Sequence, residues 1–181
     1  MKKNLIALLI VALVSVGLFA ANPSPATFDI TTTIGGVSNL KLGATTTAKP
    51  STIAGFDDDV TADNSDFEVD DDNYGATNTV RSIFAYSNNR SGYTISLAAK
   101  AMKGTASSTY INYTVDAGGA TVTTTSTDNY VNAVDPVEKV TSLTGLTFSK
   151  IDIDITVDDT AYENAVNDTY TGTIKVTMTS P

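Results

Sequence analysis

The sequence predicts an all-β protein, an antiparallel β-sandwich of about eight to ten strands with one short helical turn. Three observations support this prediction. Apolar and polar residues alternate along many short segments, most regularly in the closing YTGTIKVTMT, and a period of two is typical of half-buried strands. Val, Ile, Tyr, Phe and Thr fill these segments. Clusters of Gly, Asn, Asp and Ser separate them, as in known sandwiches.

The first twenty residues have the pattern of a secretory signal peptide. Lys2 and Lys3 precede an apolar run over residues 5–14, and mostly small residues follow up to a cleavage position after Ala20. The alternative is an uncleaved membrane anchor, which needs about 20 apolar residues; polar sequence follows this run at once. We therefore expect a secreted protein of the periplasm or cell surface, with no membrane insertion once residues 1–20 are removed.

Residues 21–181 are expected to form one domain, with an extended N-terminal segment over 21–27 and an acidic loop over 55–75. Loss of Lys2 and Lys3 leaves nine basic residues against 20 acidic ones, and such a charge repels nucleic acid and anionic lipid. Cys and His are absent, which excludes disulfides, thiolate or imidazole metal sites, and triads that use His as the base. The sequence predicts no enzyme.

The first third of the domain predicts three strands before the acidic loop. Alternation indicates a strand over residues 28–34, closed by two glycines, and a second over residues 37–42. We expect a break at Pro50 and then a short strand around Ile53. Within the acidic loop, residues 67–69 predict another short strand.

The middle of the chain predicts the core strands. Residues 78–87 place Val80, Phe84 and Tyr86 on one side of a buried strand. Residues 93–102 alternate over roughly 33 Å, the full height of a sandwich. The next strand ends at a Gly-Gly pair, which is a hairpin signal.

The apolar parity changes within the segment LTFSKIDIDITV. Leu146 and Phe148 are even-numbered, whereas the apolar positions of 151–157 are odd-numbered. A single regular strand would turn half of these side chains to water, so we expect a bulge near Lys150. Strands that cross from one sheet to the other use this device.

The end of the chain predicts one helical turn and a closing strand. Thr160 and Glu163 match a capping box, which indicates a short helix. Tyr170 then opens the last strand after a turn, a position at which a tyrosine corner occurs in sandwiches.

The acidic loop is the sharpest candidate for a ligand site. Nine acidic residues and no basic one lie between Gly55 and Gly75, and Ca²⁺ takes about six to eight oxygen ligands. An EF-hand template that starts at Asp70 fails because its last position is Arg81 rather than Glu. Another kind of Ca²⁺ loop would use Asp57, Asp59, Asp63, Asp66, Asp70 and Asp72. The alternative is a solvated loop whose charges oppose aggregation, and no other cofactor is expected.

Two further groups of residues have a chemical and a structural interpretation. Asp152 and Asp154 alternate with isoleucines. As paired carboxylates they would suit acid–base catalysis of glycoside hydrolysis; the alternative is that they mark the solvent-exposed side of a sheet. The tyrosines would stack on sugars, or they pack in the core with satisfied hydroxyls. Nothing in the sequence positions a nucleophile beside its base, so a hydrolase is the weakest hypothesis.

Three segments, YSNNRSGYTISLAAKAMKG, YINYTVDAGG and NDTYTGTIKVTMTSP, resemble secreted pilin-like sandwiches of bacteria, the spore coat protein U and fimbrial-subunit type. The resemblance implies an immunoglobulin-like fold and assembly by donor-strand exchange with chaperone help. The chain departs from that family because it has no Cys, no penultimate tyrosine and an added acidic loop.

Donor exchange would pair an extended apolar segment with a groove that lacks a strand. The candidates for this pairing are Phe28, Ile30, Ile34, Ile174, Val176 and Met178. The N-terminal members would instead form the domain's own first strand if the sandwich is complete. The preferred hypothesis is therefore an exported structural subunit that pairs with itself or with a chaperone or assembly partner. The second is a monomeric binding module with a Ca²⁺- or ligand-binding acidic loop.

Overall fold

A computed structural model describes residues 30–181, and the chain divides into two units after Ile34. The predicted signal peptide, the segment 21–27 and Phe28 lie outside the described residues. Residues 30–34, the described part of the first unit, have no regular secondary structure, so the prediction of a strand up to Ile34 is not met there. The second unit, Gly35–Pro181, holds the strands. Within residues 30–181 no helix is long and apolar enough to span a membrane.

Ten strands and two short helices follow one another between Ser38 and Thr179. In chain order they are β1 (Ser38–Gly43), α1 (Ile53–Asp59), β2 (Thr77–Ser87), β3 (Tyr93–Gly104), β4 (Tyr110–Ile111), β5 (Tyr113–Ala117), β6 (Ala120–Thr123), β7 (Val131–Asn132), β8 (Glu138–Val140), β9 (Thr147–Val157), α2 (Asp159–Glu163) and β10 (Tyr170–Thr179). The sequence predicts one short helix, whereas the structure has α1 and α2, so this prediction misses one helix.

Two antiparallel sheets pack face to face. Sheet 1 has the order β1-β2-β9-β5-β6. Sheet 2 has β3 at its centre, with β10 on one side and β4, β7 and β8 on the other. Inward side chains of both sheets form the main core, including Ile83, Ile95, Leu97, Val115 and Ile153. Burial of apolar area of this kind stabilises the fold by about 25 cal/mol per Å². The prediction of an all-β sandwich is confirmed.

A bulge in β2 divides its apolar residues between two clusters. The register against β9 shifts between Thr79 and Arg81, so Val80 joins the main core while Phe84 and Tyr86 face the other way. The prediction that Val80, Phe84 and Tyr86 share one side is wrong, because a bulge resets the alternation of a strand.

An aromatic cluster covers the outer surface of sheet 1. Phe56 of α1 packs edge-on against Tyr86, with ring centroids 4.7 Å apart, and Phe84 is fully buried beside them. α1 starts where the Thr52 hydroxyl accepts a hydrogen bond from the Gly55 amide at 3.0 Å. The strand expected around Ile53 is thus replaced by a helix. The strand expected over residues 67–69 is also absent.

The aromatic cluster also explains the change of parity before β9. β9 pairs continuously with β2 past Lys150, so the bulge expected there is wrong. Phe148 faces outward and packs against Tyr86, with ring centroids 5.6 Å apart, while Ser149 faces the interior. The chain crosses between sheets at Asn112 instead, because β4 pairs with β3 and β5 pairs with β9.

α2 begins two residues earlier than the capping-box pattern predicts. The Asp158 carboxylate accepts a hydrogen bond from the Ala161 amide at 2.6 Å and caps the helix. Thr160 and Glu163 therefore lie inside the helix, and the prediction that they form its cap is wrong. The short Asp side chain suits the cap because it reaches the free amide of the first turn.

Tyr113 joins the two sheets at a bulge in β3. Ala101 and Met102 stand opposite the single residue Gly172 of β10, where the register shifts. The Tyr113 hydroxyl, which comes from sheet 1, donates to the Lys100 carbonyl oxygen at 2.6 Å, and the Thr173 carbonyl oxygen lies 3.2 Å away. Burial raises the pKa of the Tyr113 hydroxyl to about 12, so the group remains a donor at neutral pH.

The space for the Tyr113 ring exists because residue 172 is glycine. A Cβ at Gly172 would lie 2.9 Å from Met102 Cγ and 3.0 Å from Tyr113 Cε1. Isolated glycines within strands often mark a bulge or a close approach of this kind.

We expect Tyr113→Phe to lower the free energy of unfolding by about 1–3 kcal/mol, because buried carbonyl groups would lose their donor. Urea unfolding followed by circular dichroism measures the change. Tyr110→Phe is the matched control, since the Tyr110 hydroxyl makes no hydrogen bond to another described residue; equal losses in both variants would contradict this role.

Candidate functional site

The two sheets expose their edge strands on the same side of the sandwich. β1 is the edge of sheet 1 and β10 is the edge of sheet 2. The start of β1 meets the end of β10, where Ser38 Oγ and Ser180 Oγ are 3.1 Å apart and Asn89 Nδ2 donates to the Pro181 carbonyl oxygen at 3.0 Å. This open side is the candidate site, because edge strands present unpaired peptide groups to other chains.

The β10 edge lacks proline, inward charges and bulges of its own, although the exposed Lys175 stands on its outward side. From Thr173 to Thr179 its register with β3 is regular, and the inward positions carry apolar residues rather than charges. Natural edges are commonly interrupted by proline, bulges or inward charges. At ten residues the strand spans about 33 Å, which is long enough to template a complete added strand.

The inward apolar residues of β10 are only half-buried. Ile174, Val176 and Met178 pack against the main core yet keep part of their surface accessible, whereas Ile95 and Leu97 of the neighbouring β3 are almost fully buried. Completing the burial of such a side chain contributes about 1 kcal/mol. A strand laid along β10 would therefore gain both backbone hydrogen bonds and apolar contacts.

The β1 edge is more protected than the β10 edge. The Asp63 amide donates to the Leu42 carbonyl oxygen at 2.8 Å, so the chain that leaves α1 already occupies one end of β1. Lys41 donates to the carbonyl oxygens of Phe56 and Val60 at 2.9 and 3.1 Å, which holds that chain in place. The pairing surface is accordingly centred on β10.

The first turn before β10 is anchored by hydrogen bonds. The Asp168 carboxylate accepts from the amides of Ser107 at 2.7 Å and Ala106 at 2.9 Å. These bonds, with a further one from the Thr169 amide, lower the pKa of Asp168 to about 2. The Tyr170 hydroxyl donates to the Val166 carbonyl oxygen at 3.1 Å, four residues upstream, in the manner of a tyrosine corner.

The structure places the predicted pairing residues at two locations. Ile174, Val176 and Met178 line the inward side of β10, as described above. Ile30 and Ile34 have 86% and 81% of their surface exposed, and Phe28 lies outside the described residues.

The six aspartates of the predicted Ca²⁺ loop have different environments. Asp57 and Asp59 belong to α1, Asp66 and Asp72 are exposed, and Asp70 accepts from the Asp72 amide at 3.0 Å. Asp63 accepts from Ser65, which lowers the pKa of its carboxyl, and its Oδ2 lies 3.2 Å from Arg81 Nε. Within residues 30–181 no three acidic side chains form a group able to hold a metal ion, so Ca²⁺ binding stays a prediction.

The other acidic pair lies on the outer surface of sheet 1. Asp152 accepts a hydrogen bond from the Ser82 hydroxyl, and Asp154 accepts one from the Thr79 hydroxyl at 2.5 Å. Cross-strand pairs of this type stabilise exposed sheet surfaces, which agrees with the structural interpretation of these residues.

A buried polar group inside the sandwich is not suggested by the sequence. Tyr93 Oη donates to Glu138 Oε2 at 2.8 Å and lies 2.9 Å from Ser149 Oγ, which donates to Glu138 Oε1 at 2.9 Å. Burial raises the pKa of the Tyr93 hydroxyl to about 12, with Glu138 adding to the effect. The three side chains satisfy one another and link β3, β8 and β9, so they bind the sheets together.

Comparison with protein-family models, with curated proteins and with solved structures found no match to this chain. The open side of the sandwich is therefore interpreted from its own geometry.

We expect the Asp168 anchor to weaken in acid. Because the pKa of Asp168 is lower in the folded chain than its ordinary value near 3.8, its stabilising effect is present above about pH 4 and is lost as the pH falls toward 2. The melting temperature of Asp168→Asn should lie below that of the parent at pH 5, and the gap should narrow steeply as the pH falls toward 2. Asp135→Asn, an exposed control, should show no such pH-dependent gap; a constant gap for Asp168→Asn would contradict the assignment.

Proposed function

We propose that this chain is an exported, non-catalytic structural subunit of pilin-like type that acts by β-strand pairing at the cell surface or in the periplasm. The observation that carries the proposal is the regular β10 edge, which has no proline or inward charge and carries the half-buried Ile174, Val176 and Met178. The predicted signal peptide supports export. The segment resemblance to fimbrial subunits supports the mode of assembly.

The proposed occupant of the β10 edge is the N-terminal segment of another copy. ATFDITTTI, residues 26–34, alternates apolar and polar residues as a donor strand requires. Ile30 and Ile34 are exposed in the described structure, which supports their availability for pairing. A chaperone or assembly partner would hold the same edge before the subunits join.

Removal of residues 21–34 should abolish the oligomers that persist at about 300 mM salt and leave a soluble folded domain, because the donor strand is lost while Gly35–Pro181 keeps its core. Size-exclusion chromatography and circular dichroism measure the two outcomes. Multimers of unchanged size would contradict the proposal.

Point substitutions test the same idea by strand parity. Phe28→Asn/Ile30→Asn should lower the fraction of multimers that survive mild denaturant at least about tenfold, because burying two polar amides in an apolar groove costs several times RT. Thr31→Asn/Thr33→Asn, on the other parity, is the matched control and should assemble normally. Equal behaviour of the two pairs would exclude donor-strand insertion by this segment.

A further inference from the structure

The outer surface of sheet 2 carries a cluster of lysines on an otherwise acidic protein. This lysine face consists of Lys100, Lys103, Lys139 and Lys175, with Tyr130 at its centre. Lys139 stands opposite Thr94 on the neighbouring strand, and Lys175 stands opposite Ala98. Four of the nine basic residues in positions 30–181 thus lie on one surface.

The β3 bulge brings Lys100 and Lys103 to the same side of the sheet. Residues three positions apart in a regular strand point in opposite directions, but the extra residue at the bulge restores a common direction. Both ammonium groups reach Asp128, at 3.6 and 3.3 Å. Lys100 Nζ and Lys175 Nζ lie 4.8 and 5.9 Å from the centre of the Tyr130 ring, within the range of cation–π attraction.

The charges of this face are poorly balanced within the chain. Asp128 and Asp135 are its acidic residues, because Glu138 turns inward to Tyr93. Lys139 and Lys175 are exposed and make no ion pair with the described residues. The basic residues near sheet 1, by contrast, form ion pairs within the chain. Lys41 pairs with Asp57 and Arg81 with Asp63, both in the segment that crosses sheet 1, and Lys150 pairs with Asp152.

The complementary charge lies elsewhere on the same molecule. Residues 57–72, here called the acidic segment, hold nine acidic residues, and all of them except Asp63 are exposed. The segment starts beside the aromatic cluster on the outer surface of sheet 1 and passes the edge of β1, where the Asp63 amide bonds to Leu42. No ion pair among the described residues joins it to the lysine face.

We propose that the lysine face binds the acidic segment of a second copy of this chain. The observation that selects this occupant is charge complementarity between two separate surfaces of one molecule. At about 0.1 M salt the screening length is about 10 Å, comparable to the distance between two packed sheets. Each surface therefore attracts its opposite locally, although the net charge of the whole chain is −9.

This contact is distinct from strand pairing because it uses the outer surface of sheet 2 rather than the edge of β10. It joins two different surfaces, so it is a heterologous contact that leaves one free lysine face and one free acidic segment at the ends of every open assembly. Such contacts extend into linear chains unless the rotation closes a ring.

Sedimentation velocity on protein produced from the full chain tests the proposal. Self-association should be present at 20 mM salt and weaken steadily toward about 300 mM, as screened ionic contacts do. Lys139→Glu/Lys175→Glu should weaken it at least about tenfold, because two ionic contacts are lost and the reversed charges repel the acidic segment. Lys49→Glu/Arg90→Glu carries the same change of net charge at exposed positions away from the lysine face and should associate as the parent does.

Mixing two defective variants tests the heterologous geometry. Asp66→Lys/Glu68→Lys alone should lose at least about tenfold of the salt-dependent association, as should Lys139→Glu/Lys175→Glu alone. Each keeps one intact surface, so the mixture should recover a salt-dependent contact that joins one copy of each variant and does not propagate further.

Several results would overturn the proposal. They include the absence of salt-dependent association in the parent chain, equal losses in the lysine-face variant and its charge-matched control, and no complex in the mixture of folded variants. Salt-sensitive binding of an anionic polysaccharide to the lysine face without self-association would also overturn it. Multimers that persist at 300 mM salt but disappear on removal of residues 21–34 report strand pairing, so the two contacts are distinguishable.

Discussion

The hydrogen bond from Tyr113 to the Lys100 carbonyl oxygen is the constraint on which much of this structure depends. It crosses the sandwich from sheet 1 to sheet 2 and satisfies a peptide group at the β3 bulge. A buried carbonyl that loses a donor is costly, so the hydroxyl stabilises the bulge. Gly172 completes the arrangement because a side chain there would collide with the ring.

The bulge lies next to both surfaces proposed to meet other chains. Beyond it, β10 keeps a regular register with β3 from Thr173 to Thr179 and stands at the edge of sheet 2. On the outer surface the bulge turns Lys100 and Lys103 in the same direction toward Asp128. One irregularity in a central strand therefore shapes the lysine face directly.

The distribution of charge follows from what covers each sheet. Sheet 1 is covered by α1 and the acidic segment, and its basic side chains are used within the molecule: Lys41 holds the carbonyl groups at the end of α1, and Arg81 contacts Ser65 and Asp63. Sheet 2 lacks such a cover, so its lysines remain at the surface. An acidic chain without disulfides can fold in this way because the main core, rather than ion pairs, provides most of the stability.

Alternation in the sequence was sufficient to predict two antiparallel layers, the strands of the middle and end of the chain, the Gly-Gly hairpin and the apolar inward positions of β10. Local alternation is visible in the sequence because each of these strands has one buried and one more solvent-exposed side. The same reasoning failed at Phe84, Tyr86 and Phe148, whose strands are covered on both sides by sheet and by α1.

Features that depend on distant residues were decided only by the tertiary structure. The sequence contains Thr52 and Phe56, but the helix between them forms because Phe56 finds a buried site on β2. The closing segment alternates regularly in sequence, yet a bulge in β3 lies opposite its Gly172. Lysines far apart in the chain share one surface only after strand register and the bulge are set, because side-chain direction depends on partners that local sequence does not specify.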